Sequence, residues 1–138
     1  MTRTVRDLMT PYPTTVPAGT SLADAARMMR DQDIGALIVA TDSGPAILTD
    51  RDMVVRAVAD GENTSVTSVE SICSRDVVSV SPDDDADQAV AMMRDRAIRR
   101  LLVLEGGDAV GMLSVGDLAI DRDRGSALAD ISSAPPNR

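Results

Sequence analysis

Met28-Met29-Arg30-Asp31 recurs as Met92-Met93-Arg94-Asp95, a spacing of 64 residues (28 to 92). The same spacing pairs Val5 with Val69, Val16 with Val80, Ala25 with Ala89, Ile34 with Ile98, Leu37 with Leu101 and Val39 with Val103. Past the next loop the spacing becomes 65 (52 to 117), pairing Leu48 with Leu113 and Asp52 with Asp117. One extra residue in a turn accounts for the change. A chance tetrapeptide match would not keep the apolar register on both sides, so the chain is an internal duplication.

Each copy reads the same way. In the second, Val77-Val78-Ser79-Val80 is a β-branched run closed by Ser81-Pro82, which predicts a strand and a turn. Asp84 or Asp85 then caps a helix whose Ala86, Ala89, Val90 and Met93 share one face. In the first, Ser21 is the cap and Leu22, Ala25, Ala26 and Met29 form the matching stripe. The apolar runs Ala36 to Ala40 and Leu101 to Leu104 suit strands buried on both faces. Turns at 41–44 and 105–108 lead into third strands, Ala46 to Thr49 and Ala109 to Ser114, and then into second helices. The first of these runs from Asp50 to Asp60 and stops at Gly61.

The expected fold is therefore α+β: two β-α-β-β-α repeats, residues 1–62 and 63–124, packed about a pseudo-twofold axis into one globular unit. A unit of roughly 60 residues buries too little surface alone, and two copies sharing a core solve that. Residues 61–65 are the polar linker. Val66 to Cys73 is expected to form a short helix leading into the second copy, with Thr4 to Met9 its counterpart before the first. Residues 125–138 lack periodicity and are expected to be disordered.

Composition excludes several function classes. The chain has 22 acidic and 14 basic residues, every basic one arginine, for a net charge of −8. Such acidity argues against nucleic-acid and anionic-membrane binding, since phosphate attraction supplies most non-specific affinity. Tyr12 is the only aromatic residue, which leaves no stacking platform for single strands. Without histidine there is no Ser-His-Asp triad, Cys-His pair or imidazole zinc site. Asp83-Asp84-Asp85 offers carboxylates, but consecutive residues do not face one site, and negative charge is favoured at a helix start. A lone Cys73, on an apolar stripe with Val69 and Ile72, reads as buried packing. No Walker-type loop or GxGxxG fingerprint occurs. A non-catalytic protein is expected, with no metal and no required cofactor. The N-terminus has no apolar signal-peptide core, and the uncharged apolar runs are far too short to span a membrane, so a cytoplasmic location is expected.

One polar motif recurs. Thr49-Asp50-Arg51-Asp52 and Ser114-Val115-Gly116-Asp117 each place a hydroxyl and a carboxylate three apart where strand three meets the second helix. The pattern is a helix capping box. A helix start also offers free N–H groups that favour phosphate, and a carboxylate can accept two hydrogen bonds from adjacent ribose hydroxyls.

Two β-α-β-β-α copies, each ending in an apolar strand plus Thr/Ser-x-x-Asp, resemble a tandem CBS-domain pair, or Bateman module. Residues 33–37 and 48–52 are similar to small stand-alone bacterial members. The resemblance covers about residues 4–124. It implies a module sensing an adenosine-containing ligand (AMP, ADP, ATP or S-adenosylmethionine) in clefts between the copies. By that resemblance Asp52 and Asp117 would hold ribose hydroxyls and Thr49 and Ser114 would contact phosphate. Pro13-Thr14 and Val77-Val78 would line the base, and Arg99-Arg100 match a phosphate-facing basic position. The pair is equally readable as solvated charge at a helix end.

The chain also departs from the family pattern. Gly35-Ala36 stands where the second copy has Arg99-Arg100, Ile38 and Leu102 stand where the family often has proline, and Ala46 stands opposite Gly111. A phosphate-bearing ligand is therefore expected to prefer the cleft of Ser114, Asp117 and the two arginines. Tyr12, between two prolines, is read as an ordinary loop residue. The resemblance further implies a homodimer and an unidentified regulated protein, with Met53, Val54, Ala57 and Val58 of the second helix at the interface. The competing expectation is a ligand-free dimeric scaffold that regulates a partner protein.

Overall fold

The computed structural model describes residues 3–122 together with Ile131 and Ala134; the expected disordered tail at 125–138 lies almost wholly outside the described residues. The elements are α1 (Val5–Leu8), β1 (Thr10–Pro11), β2 (Thr15–Pro17), α2 (Leu22–Gln32), β3 (Ala36–Thr41), β4 (Gly44–Thr49), α3 (Asp50–Asp52), a π-helix (Met53–Val58) and a 3₁₀ turn (Val69–Ser71). The second half adds β5 (Ser79–Val80), α4 (Ala86–Arg96), β6 (Arg100–Glu105), β7 (Asp108–Ser114) and α5 (Val115–Arg122). The fold is α+β and the β-α-β-β-α order holds in both copies.

The helices start and stop where local chemistry dictates. Ser21 Oγ accepts the Asp24 N–H at 3.1 Å, satisfying one free donor of α2. Of the two candidate caps on α4, Asp85 is the one used: its carboxylate accepts the Asp87 N–H at 3.0 Å. Both helices end on a left-handed residue, Asp33 (φ 54°) and Ala97 (φ 53°), whose N–H reaches back to the last turn. Leu22, Ala25 and Met29 on α2, and Ala86, Ala89 and Met93 on α4, are the buried faces.

The chain divides into two compact bodies. One is Thr14–Val77, with a three-stranded sheet in the order β2-β3-β4. Strand β2 runs parallel to β3 (Thr15 against Ile38), and β3 runs antiparallel to β4 (Ala36 against Thr49). Its core joins Val16, Leu22, Leu37, Val39 and Leu48 to Val69, Ile72 and Cys73. The other body joins residues 3–13 to the chain from Val78 onward, around a sheet in the order β1-β7-β6-β5. Its core is Val80, Ala89, Met93, Leu101, Val103, Leu113 and Leu118, together with Val5.

The segments that precede each copy in sequence thus pack on the other copy. Val5 N–H donates to Asp84 O and Arg6 N–H to Pro82 O, both at 2.8 Å, binding α1 to the second repeat. Symmetrically, Val69 N–H donates to Thr20 O at 2.8 Å and Leu22 N–H to Thr67 O at 3.0 Å within the first. Thr10 pairs with Met112 on the edge of β7, and Ser74, its counterpart 64 residues on, forms a bridge with Ile47 on β4. Val66 to Cys73, expected to be helical, holds only the 3₁₀ turn at Val69–Ser71.

Two further expectations are corrected. The strand read at Val77–Val80 is only Ser79–Val80, though Leu102 N–H still donates to Val78 O at 3.1 Å. The helix read at Asp50–Asp60 opens with one α-helical turn and then widens into the π-helix, with Ala59 N–H reaching Val54 O at 3.0 Å. Gly61, at φ +72°, takes the left-handed turn that follows. In this wider register Val54, Val55 and Val58 are exposed, at 59%, 50% and 62%. Ala57 is buried and Met53 packs on the core.

Candidate functional site

In each repeat three pieces of chain meet at one end of the sheet. In the first, Ala36 at the start of β3 lies opposite Thr49 at the end of β4. Asp50 N–H donates to Gly35 O at 3.0 Å, and Ile38 N–H donates to Thr14 O at 2.8 Å, just ahead of β2. The second repeats this: Arg100 is opposite Ser114, Val115 N–H donates to Arg99 O at 3.0 Å, and Val78 supplies the equivalent carbonyl. Thr14, Thr49 and Asp52 therefore share one end, and Val78, Arg99, Arg100, Ser114 and Asp117 share the other repeat's. Pro13 and Val77 fall at the boundaries of the two bodies.

The hydroxyl–carboxylate pairs form closed caps. Thr49 Oγ1 accepts the Asp52 N–H at 3.1 Å, while Asp52 Oδ2 accepts the Thr49 N–H at 3.0 Å. In the second repeat Ser114 Oγ accepts the Asp117 N–H at 3.2 Å. Asp117 Oδ2 there accepts two bonds, from the Ser114 N–H at 2.9 Å and its hydroxyl at 3.0 Å. Both caps engage Oδ2 and leave Oδ1 outside the cap. In the first repeat that oxygen stands 3.8 Å from Arg56 Nε.

The surroundings differ between repeats. Arg99 and Arg100 are exposed, and their guanidinium groups make no hydrogen bond or ion pair among the described residues. The first repeat has Gly35 and Ala36 at those positions, with exposed Asp50 at the helix start. A third cation at this end, Arg96 on the last turn of α4, is absent from the sequence reading; only its counterpart, Gln32, hints at it by contrast.

The remaining reactive groups are accounted for structurally. Asp83 pairs with Arg6 at 3.4 Å, Asp84 Oδ2 accepts the Ser81 N–H at 2.9 Å, and Asp85 caps α4, so the acidic run is divided among three duties. Glu105, then Asp83, holds the Arg6 guanidinium above its ordinary pKa and ties α1 to the β6–β7 turn. Among the described residues no group of three or more Cys, Asp or Glu is placed to share a metal ion. Burial pushes the Cys73 thiol pKa up, against a smaller opposing effect from Arg75. Tyr12 is 91% exposed at φ 53°, a left-handed conformation uncommon for its residue type. No helix among the described residues is long and apolar enough to cross a membrane.

The family model described as CBS domain matches twice, over residues 5–58 and 69–120. Among curated proteins, CBS domain-containing protein YhcV of Bacillus subtilis is 33% identical over 133 residues, covering 93% of this chain and 94% of that one. CBSCBSPB3 of Arabidopsis thaliana is 31% identical over 92% of this chain but only 25% of its own length, so the same pair also occurs inside longer proteins. Among solved structures, the CBS domain protein NE2398 is 29% identical with a TM-score of 0.78, covering 88% of this chain and 98% of that one. The CBS domain pair of MJ0100, solved with 5′-methylthioadenosine and S-adenosyl-L-methionine, shares the fold at a TM-score of 0.75 with 23% identity, covering 86% and 94%. Two matched repeats, the duplicated capping box and the two like sheets carry one conclusion: the chain belongs to the CBS-domain family, as a tandem pair of the kind that serves as a regulatory module.

Proposed function

We propose that this CBS pair is a non-catalytic sensor of an adenosine-containing ligand, held at the sheet end of each repeat. The observation that carries the reading is the paired geometry of Thr49/Asp52 and Ser114/Asp117. Each carboxylate gives Oδ2 to its cap and offers Oδ1 to a diol, Asp52 Oδ1 doing so beside Arg56 Nε at 3.8 Å. The carbonyls of Thr14 and Val78 flank the same ends on the backbone side. Binding of 5′-methylthioadenosine and S-adenosyl-L-methionine by MJ0100 makes adenosyl compounds the first class to test. A ligand that binds only the folded chain stabilises it by RT ln(1 + [L]/Kd), about 2.7 kcal/mol at a hundredfold excess over Kd. That is enough to bias an exposed surface or a subunit contact, which is how a cytoplasmic sensor would pass its signal to a regulated protein.

Calorimetric titration with AMP, ADP, ATP, S-adenosylmethionine and NADH tests the reading. Binding of at least one adenosyl compound, abolished by Asp117→Ala in a chain that still melts cooperatively, is the expected result, and Asp52→Ala should matter less for phosphate-bearing ligands. A folded protein that responds to none of them would leave the second reading, a ligand-free dimeric scaffold. The exposed Val54, Val55 and Val58 favour that reading's interface.

A further inference from the structure

The body that carries β7 is completed by a segment from outside its continuous run of chain. Residues 3–13 belong to it, residues 14–77 do not, and the chain returns at Val78. The seat for this segment is well made. Val5 is fully buried in the core, Val5 N–H donates to Asp84 O at 2.8 Å, and Ala86 N–H donates to Arg3 O at 2.9 Å. Arg6 pairs with Glu105 at 3.1 Å, Thr10 and Pro11 lie against Met112 and Gly111 of β7, and Tyr12 N–H donates to Val110 O at 3.2 Å. None of these contacts requires segment and seat to belong to the same chain.

The link that makes them one chain is the strained part. Tyr12 has φ 53°. A residue with a Cβ is disfavoured in the left-handed region, and a residue ahead of a proline favours extended backbone at negative φ. Tyr12 breaks both preferences, since Pro13 follows it, and Pro11 before it has a φ fixed by its ring and cannot absorb the turn. Among the described residues the other non-glycine residues at positive φ, Asp33 and Ala97, end helices, where that conformation closes the last turn. Tyr12 ends no helix, and at 91% exposure its ring has almost no packing to hold the turn. Its counterpart 64 residues on, Asp76, does not take a positive φ. The strain is thus confined to the link of the N-terminal segment.

We infer that this seat also receives residues 3–13 of a second copy of the chain. In the resulting swapped dimer each copy's α1 and β1 fill the other's seat, and the Pro11-Tyr12-Pro13 link opens to the extended form its prolines favour. The contacts of the seat are all kept, and only the left-handed turn is lost, so a short strained hinge favours the swap. What favours the closed chain is the tether, which gives the segment an effective concentration on the order of millimolar. The closed chain therefore prevails at micromolar concentration, and the swapped dimer forms as the protein approaches the tether's value. It needs no nucleotide.

Thr10 and Met112 are direct partners across β1 and β7, close enough in such a ladder for a disulfide. Thr10→Cys and Met112→Cys are made in separate full-length chains. Each also carries Cys73→Ser, to leave one thiol, and Val55→Glu, to keep the exposed valine face from joining copies. The two chains are mixed, refolded together from urea at roughly millimolar concentration and oxidised. A mixed dimer joined through the two introduced thiols is the expected product, at least about tenfold more abundant than at micromolar concentration. Tyr12→Gly in both chains removes the penalty of the turn and should lower the yield about tenfold. A single chain carrying both Thr10→Cys and Met112→Cys should bridge internally at micromolar concentration, which shows that β1 still docks. Thr4→Cys with Asp85→Cys, at the isolated bridge between those residues, repeats the test on α1. Internal bridging without any mixed dimer from the separate chains would overturn the inference, as would a yield that Tyr12→Gly leaves unchanged.

Discussion

Gly111 is the residue at which the edge of the second repeat's sheet is decided. A Cβ there would stand 2.4 Å from Met9 Sδ and 3.1 Å from Thr10 O. The methionine tip can swing aside, but the Thr10 carbonyl belongs to the β1–β7 pairing and has little freedom. Gly111→Ala should therefore cost about 1–3 kcal/mol, as overpacking does, read as a lower urea midpoint, with Met9→Ala restoring part of it; an unchanged midpoint would refute the close approach. Cys73 makes a second residue-scale prediction. It is 8% exposed, its thiol points at Glu70 O at 3.5 Å, and burial raises its pKa, so the neutral thiol is the form the fold favours. That contribution is complete below the pKa of the unfolded thiol and is lost as pH rises through the folded value. Iodoacetamide at pH 8 should label native protein at least about tenfold more slowly than urea-unfolded protein, because the thiolate is the reactive species.

At the scale of elements, the exchange of leading segments matters most. Val5 is fully buried in the second repeat's core, and Val69 in the first's, although each precedes the opposite copy in sequence. Val5→Ala should cost about 1–3 kcal/mol from lost burial and the cavity left behind. Amide exchange should locate the loss at Leu101, Val103 and Leu113, leaving Leu37, Val39 and Leu48 protected; the reverse pattern would mean that α1 serves the first repeat. The exchange was not legible in the sequence. Val5 and Val69 satisfy the repeat register in either arrangement, and one apolar side chain on a short segment carries no address. The capping boxes were legible because Thr/Ser-x-x-Asp states a local hydrogen-bond pattern complete within four residues. The π-helix was not, since apolar residues at 53–58 fit an α register equally well.

For the whole molecule, the exposed Val54, Val55 and Val58 form a surface that water covers poorly in the isolated chain. If this face joins two copies, sedimentation should give twice the 14.5 kDa chain mass at micromolar concentration, and Val55→Glu should return the monomer mass without loss of fold. A wild-type chain that sediments as a monomer at every concentration would remove the dimer and leave the face for another partner. The sequence by itself determined the duplication, the order of elements, the core stripes and the two hydroxyl–carboxylate pairs. All of these are written in spacings of a few residues or in a spacing repeated along the chain. Only the tertiary structure decided which leading segment serves which repeat, where the π-helix turns its valines outward, and that Arg99 and Arg100 stand exposed with no carboxylate partner among the described residues. Those outcomes depend on which surfaces meet after folding, and hydrophobic contact and ion pairing depend on proximity in space, to which sequence separation is blind.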